Sequence, residues 1–106
     1  MNKYKKLEND LREAYEIAKE AATGDDGGTA NLDSTFLKLK GWGEKKVLEA
    51  IKNAGLYCRG KTEWIGTGYM INTGGGQGND RMRVRNKFLS VLEEKGYKVL
   101  AYNQMD

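Results

Sequence analysis

The sequence predicts an α+β fold: a two-layer sandwich in which a sheet of four antiparallel or mixed strands is covered on one side by about three helices. Three observations carry this. Apolar residues recur at steps of three and four in three segments and alternate in others, and the two kinds of segment follow one another in the order α-β-α-β-β-α-β. Glycine clusters separate them, there is no proline, and 106 residues suffice for one core but not two, so residues 1–106 read as a single domain.

From Lys3 to Ala22, Leu7, Leu11, Ala14, Tyr15, Ala18 and Ala21 form the stripe of a helix with one buried face. The run Thr23 to Thr29, rich in glycine and aspartate, ends it. Thr35 to Lys40 alternates, with Leu37 and Leu39 on one side and Lys38 and Lys40 on the other, as in a strand with one solvated face. Glu44 to Ala54 reads as a second helix stopped at Gly55. Leu56 to Arg59 and Glu63 to Asn72 are extended runs around Gly60-Lys61, which suggests a hairpin there. After the glycine run Gly74 to Gly78, Asn79 or Asp80 offers an N-cap to a helix reaching Lys95, with Val84, Phe88, Val91 and Leu92 buried. Tyr97 to Tyr102 is the last strand.

Composition removes several functions. No histidine is present, so zinc sites built on imidazole, Ser-His triads and Cys-His dyads are out of reach, and the single cysteine, Cys58, cannot form an internal disulfide. Without a base to activate it, Cys58 reads as a small buried hydrophobe rather than a nucleophile. No apolar run approaches the roughly 20 residues of a membrane span, and no secretory leader is evident, so a cytoplasmic protein is expected. The net charge of +3, from 18 basic and 15 acidic residues, is mild for a nucleic-acid-binding domain and argues against that partner, which stays as the second reading: a nucleic-acid-binding or protein-blocking antagonist, such as an anti-CRISPR, with the Arg81 to Lys87 face as its footprint. Paired carboxylates suited to general acid–base work are lacking; the chain is expected to be no enzyme and to need neither cofactor nor metal.

The segment Gly74 to Lys87 is the sharpest functional feature. A glycine loop enters a helix whose first turns carry Arg81, Arg83 and Arg85. Unpaired amides at a helix start attract anions, glycine admits a ligand close to the backbone, and arginine pairs with phosphate through two hydrogen bonds. Gly75, Gly76, Gln77, Gly78, Asn79, Arg81 and Arg85 are therefore the expected phosphate-binding residues. Arg81 and Arg85 share one helix face and Arg83 and Lys87 another, so a second subunit would be needed to bring all four to one ligand. The alternative is a basic helix face turned to solvent. In a second cluster, Gly24 to Asp33, the calcium pattern fails because Phe36 stands where the closing glutamate belongs; a capped turn or a polar rim with Thr29, Asn31 or Asp33 remains. Trp42, Trp64, Tyr69 and Tyr102 are the candidates for base stacking, each such contact contributing roughly 1–3 kcal/mol.

Three stretches resemble a known family: Gly27-Gly28-Thr29-Ala30-Asn31-Leu32-Asp33, Gly76-Gln77-Gly78-Asn79-Asp80-Arg81, and Tyr102-Asn103-Gln104-Met105-Asp106. They are similar to the small anti-Thoeris sponges of phages of Firmicutes, which sequester cyclic ADP-ribose isomers made by immune TIR enzymes. The resemblance implies a non-enzymatic homo-oligomer, a dimer or larger, that buries a cyclic nucleotide between subunits in the host cytoplasm. It also implies a pocket aromatic followed ten residues later by an asparagine. Tyr69 and Asn79 match, with tyrosine where the family pattern leads one to expect phenylalanine.

Overall fold

The computed structural model describes residues 2–22, 32–73 and 78–104, the side chains of 32, 33, 78–81, 103 and 104 aside. Helix α1 (Lys3–Lys19) starts where Asn2, in an extended conformation, accepts a hydrogen bond from the Lys5 amide on its side chain at 2.8 Å. It ends sooner than its apolar stripe suggests. The amides of Glu20, Ala21 and Ala22 each reach back three residues, tightening the exit into a 3₁₀ turn. Strand β1 (Leu32–Lys38), helix α2 (Glu44–Asn53), strands β2 (Lys61–Trp64) and β3 (Gly66–Ile71), helix α3 (Gly78–Glu94) and strand β4 (Lys98–Gln104) follow in the expected order.

The four strands form one antiparallel sheet in the order β2-β3-β1-β4. The hairpin expected at Gly60-Lys61 turns instead at Ile65. Gly66 adopts a left-handed φ of +79°, the conformation that closes short hairpin loops, and Lys61 pairs with Tyr69. The run at Leu56 to Arg59 contributes a single bridge, Tyr57 to Asn72. Asn79 and Asp80 lie within the first turn of α3 rather than capping it, because the helix already begins at Gly78.

All three helices pack on one side of the sheet, with α1 against both α2 and α3. Leu7, Leu11, Ala14 and Ala18 of α1, Val47 and Ile51 of α2, and Val84, Phe88 and Leu92 of α3 meet Leu37, Tyr69, Ile71 and Val99 from the sheet. Two buried carboxylates on α1 fasten its neighbours. Glu8 accepts from Lys5, Arg12 and the Asn53 side chain at the end of α2, while Arg12 also donates to the Asn53 carbonyl at 2.8 Å. Asp10 accepts from Lys6 and, at 2.6 Å, from the Tyr97 hydroxyl beside β4. No helix among the described residues is long and apolar enough to cross a membrane.

Two expected outcomes test this packing. A β-carbon at Gly68 would lie 2.7 Å from the Phe36 ring and 2.8 Å from the Leu37 carbonyl oxygen, so Gly68→Ala should destabilise the protein by about 1–3 kcal/mol in urea titrations. Burial raises the Asp10 carboxyl, but hydrogen bonds from Lys6 and Tyr97 and the charges of Lys6 and Lys95 more than offset it, leaving it below its ordinary value. Its contribution to stability is therefore complete above an unfolded pKa of about 4 and is lost as the pH falls through the lower folded value. Asp10→Asn should lower the urea midpoint at neutral pH and flatten its decline below about pH 4.

Candidate functional site

Strand alternation gives the sheet two unlike faces. Thr35, Leu37, Tyr69, Ile71 and Val99 turn toward the helices and are buried. The residues between them, on the same side as their cross-strand partners, turn the other way, where none of the helices among the described residues lies. On that open face Phe36 stands between Met70 and Leu100, its partners on β3 and β4. Because Gly68 has no side chain, the Phe36 ring lies over strand β3. Trp64 then closes over it edge-to-face, ring centroids 5.3 Å apart, and meets Tyr102 edge-to-face at 4.9 Å. Trp64 and Tyr102 stand on the two edge strands, about 14 Å apart by strand spacing alone, so their meeting depends on the twist and curl of the sheet. Phe36 is wholly buried beneath this cover, while Trp64 stays 41% exposed.

Beside the aromatic cluster runs a groove of about 480 Å³. Ser34, Met70 and Asn72 line it from the sheet, Trp64 and Tyr102 from the cluster, and Tyr57 and Arg59 from the segment leading into β2. Its size is that of a small-ligand site. Tyr57 is 63% exposed and offers a further ring face. Glu63 is the one carboxylate lining the groove among the described residues, and it accepts a hydrogen bond from Thr67 at 3.0 Å.

Charge is distributed as unevenly as apolar surface. On the helical side Lys5, Lys6, Arg12, Lys19 and Lys95 are paired with carboxylates at 2.8–3.2 Å. Lys38, Arg59, Lys61 and Lys98 make no ion pair with a described residue, and neither do Lys45, Lys46 and Lys52 of α2. Lys38 and Lys98 are direct cross-strand partners on the open face, an arrangement of like charges that costs stability.

The residues expected to bind ligand are divided by the structure. Tyr69 lies under the helices, not on the open face, and burial, with smaller contributions from Glu44, Cys58 and Tyr4, pushes its phenol up. Its hydroxyl makes no hydrogen bond with a described residue. The two-residue spacing from Ile71 was the available signal, since both must share a face. Arg85 is 3% exposed; it donates to the carbonyls of Ser34 at 3.4 Å and Tyr102 at 3.1 Å, and to Asn86 at 2.8 Å. Its position three residues before Phe88 and seven before Leu92 places it in the buried stripe of α3. Gly78, Asn79 and Arg81 belong to the first turn of α3, and their side chains lie outside the described residues, as do Asn31, Gly75, Gly76 and Gln77 altogether. Trp42 packs edge-to-face on Tyr4 at the start of α1, away from the groove, with Lys3 4.7 Å over its ring.

Cys58, which does not line the groove, is half-buried, its thiol directed to the Gly60 carbonyl at 3.6 Å and pushed up by burial, the opposite of an activated nucleophile. What the groove offers is ring faces, the cations Arg59 and Lys61, the carboxylate of Glu63 and the polar side chains of Ser34, Thr62 and Asn72 around a concave surface.

Arg85 joins two carbonyls of the Ser34–Tyr102 pair from behind the sheet. Arg85→Ala should therefore cost about 1–3 kcal/mol of stability, with Arg85→Lys intermediate, in denaturant titrations; an unchanged midpoint would return Arg85 to the list of ligand-binding residues. No family model matches the chain, and no curated protein or solved structure shows detectable similarity to it.

Proposed function

We propose that the protein is a non-catalytic binder of a nucleotide ligand, with the base against Trp64 and Tyr102 and a phosphate toward Arg59. In line with the resemblance to anti-Thoeris sponges, the ligand is a cyclic nucleotide immune signal such as a cyclic ADP-ribose isomer. It is sequestered by a homo-oligomer in the cytoplasm of a phage-infected host. The observation that carries this reading is the aromatic cluster, with Trp64 exposed and Tyr102 partly so, bordering a groove of about 480 Å³ that includes an arginine free of carboxylate partners among the described residues.

The chemistry agrees with sequestration. Each ring contact with a base contributes roughly 1–3 kcal/mol, and a charge-assisted hydrogen bond from a guanidinium roughly 1.5–3 kcal/mol. Two such contacts sum to at most about 6 kcal/mol, short of the roughly 8 kcal/mol of micromolar binding, so the reading requires further contacts and closure by another subunit that excludes water. The amides and arginines of the α3 start fit the same ligand class by the anion argument, so both segments serve one function in this reading.

Thermal-shift and native mass spectrometry measurements with cyclic ADP-ribose isomers and cyclic oligonucleotides test it. The melting temperature should rise by several degrees, the ligand mass should be recovered unaltered after denaturation, and Trp64→Ala should weaken binding by about 10-fold or more. No shift with any of these nucleotides, or recovery of a chemically altered ligand, would refute sequestration.

A further inference from the structure

We infer that the open face of the sheet is longer than its groove and accepts single-stranded nucleic acid. The inference shares the aromatic cluster with the nucleotide reading but rests on a separate observation, the cross-strand Lys38–Lys98 pair beyond it, which has no carboxylate partner among the described residues.

Two lysines held side by side on neighbouring strands repel each other, and a polyanion laid across both would relieve that repulsion. The Lys38 side chain also lies along the hairpin turn, where a β-carbon at Gly66 would come within 3.2 Å of its Cε, so its ammonium group stays at that end of the face. From Ser34 in the groove to Lys38 is four residues of extended strand, about 13 Å. Phe36 and the covering Trp64 occupy the interval. A single nucleotide seated at Tyr102 and Arg59 ends before the lysines, whereas a strand carrying successive bases and phosphates spans rings and cations together.

The identity of the occupant follows from charge and from the rings. A second copy docked about a two-fold axis near the lysines would set lysine pair against lysine pair, adding repulsion, whereas a copy that closes only the groove leaves the lysine end of the face open. Trp64 and Leu100, 41% and 37% exposed, present ring and apolar surface suited to base faces. Every base has such a face, so binding would tolerate sequence, and it would weaken with salt. The modest net charge of +3 does not oppose this, since a local group of cations on one face, here Lys38 and Lys98, acts on a bound strand whatever the total.

The test is fluorescence anisotropy with labelled oligo-dT and oligo-U of about eight nucleotides at about 50 mM salt, alongside cyclic ADP-ribose binding by calorimetry. The oligonucleotides should bind the wild type. The double variant Lys38→Gln/Lys98→Gln should bind them about 10-fold more weakly, with the slope of log affinity against log salt reduced by about 1.4. Its melting temperature should be no lower than that of the wild type, because a repulsion has been removed, and its affinity for cyclic ADP-ribose should not change. Should the double variant unfold, Lys98→Gln alone gives the same readout at half the slope change. Oligonucleotides that fail to bind, or bind the variant equally well, overturn the inference while leaving the nucleotide reading to its own assay. Oligonucleotide binding without cyclic ADP-ribose binding supports the inference and removes that signal as the ligand. Competition by inorganic polyphosphate as strong as that by oligo-dT would show a charge-only surface and overturn the role of the rings.

Discussion

The open face depends on the absence of a side chain at Gly68. A β-carbon there would strike both the Phe36 ring and the Leu37 carbonyl, so no other residue permits β1 and β3 to lie as they do while Phe36 covers the backbone of β3. From that contact the rest follows in sequence: Phe36 becomes a platform, Trp64 folds down on it from one edge strand, and Tyr102 meets Trp64 from the other. The cluster holds together strands that are not neighbours in the sheet, and it does so on the side that the helices leave bare.

The two faces thus have different physical characters. Behind the sheet, stability comes from close apolar packing and from carboxylates on α1 that are matched with cations of α1 itself, the Asn53 amide of α2, Lys95 just after α3 and the Tyr97 hydroxyl before β4. In front, rings are partly exposed and cations lack carboxylate partners among the described residues, both of which cost stability and suit a surface that meets a ligand. Arg85 links the two. From the helical layer it grips the carbonyls of Ser34 and Tyr102, two residues whose other surfaces line the groove.

Much of the architecture was legible because local signals agreed with the fold: the element order is as the spacing suggests, and the apolar stripe places α1, though the helix stops at Lys19. The strand expected over Thr35 to Lys40 runs from Leu32 to Lys38 and leaves Leu39 buried beyond its end. The hairpin was misplaced because Gly60 and Gly66 offer equivalent turn signals, and only pairing with β3 selects Ile65-Gly66. The aromatic candidates were visible as residue types, but the meeting of Trp64 and Tyr102 across the sheet depends on strand order and twist, which no local pattern encodes. Tyr69 and Arg85 were drawn toward a pocket by their chemistry, whereas their spacing from Ile71 and from Phe88 and Leu92 already placed them inside. A stripe position outweighed side-chain polarity in both cases.

The central claim is that ligand contacts are made on the bare face of the sheet around Trp64. Chemical-shift mapping on isotopically labelled protein with a bound nucleotide measures this most directly. The account predicts large changes at the Trp64 indole N–H, the Met70 methyl and the Tyr102 ring, with Tyr69 and Ile71 little affected. Changes concentrated at Gly78 to Arg85, with the indole silent, would contradict it.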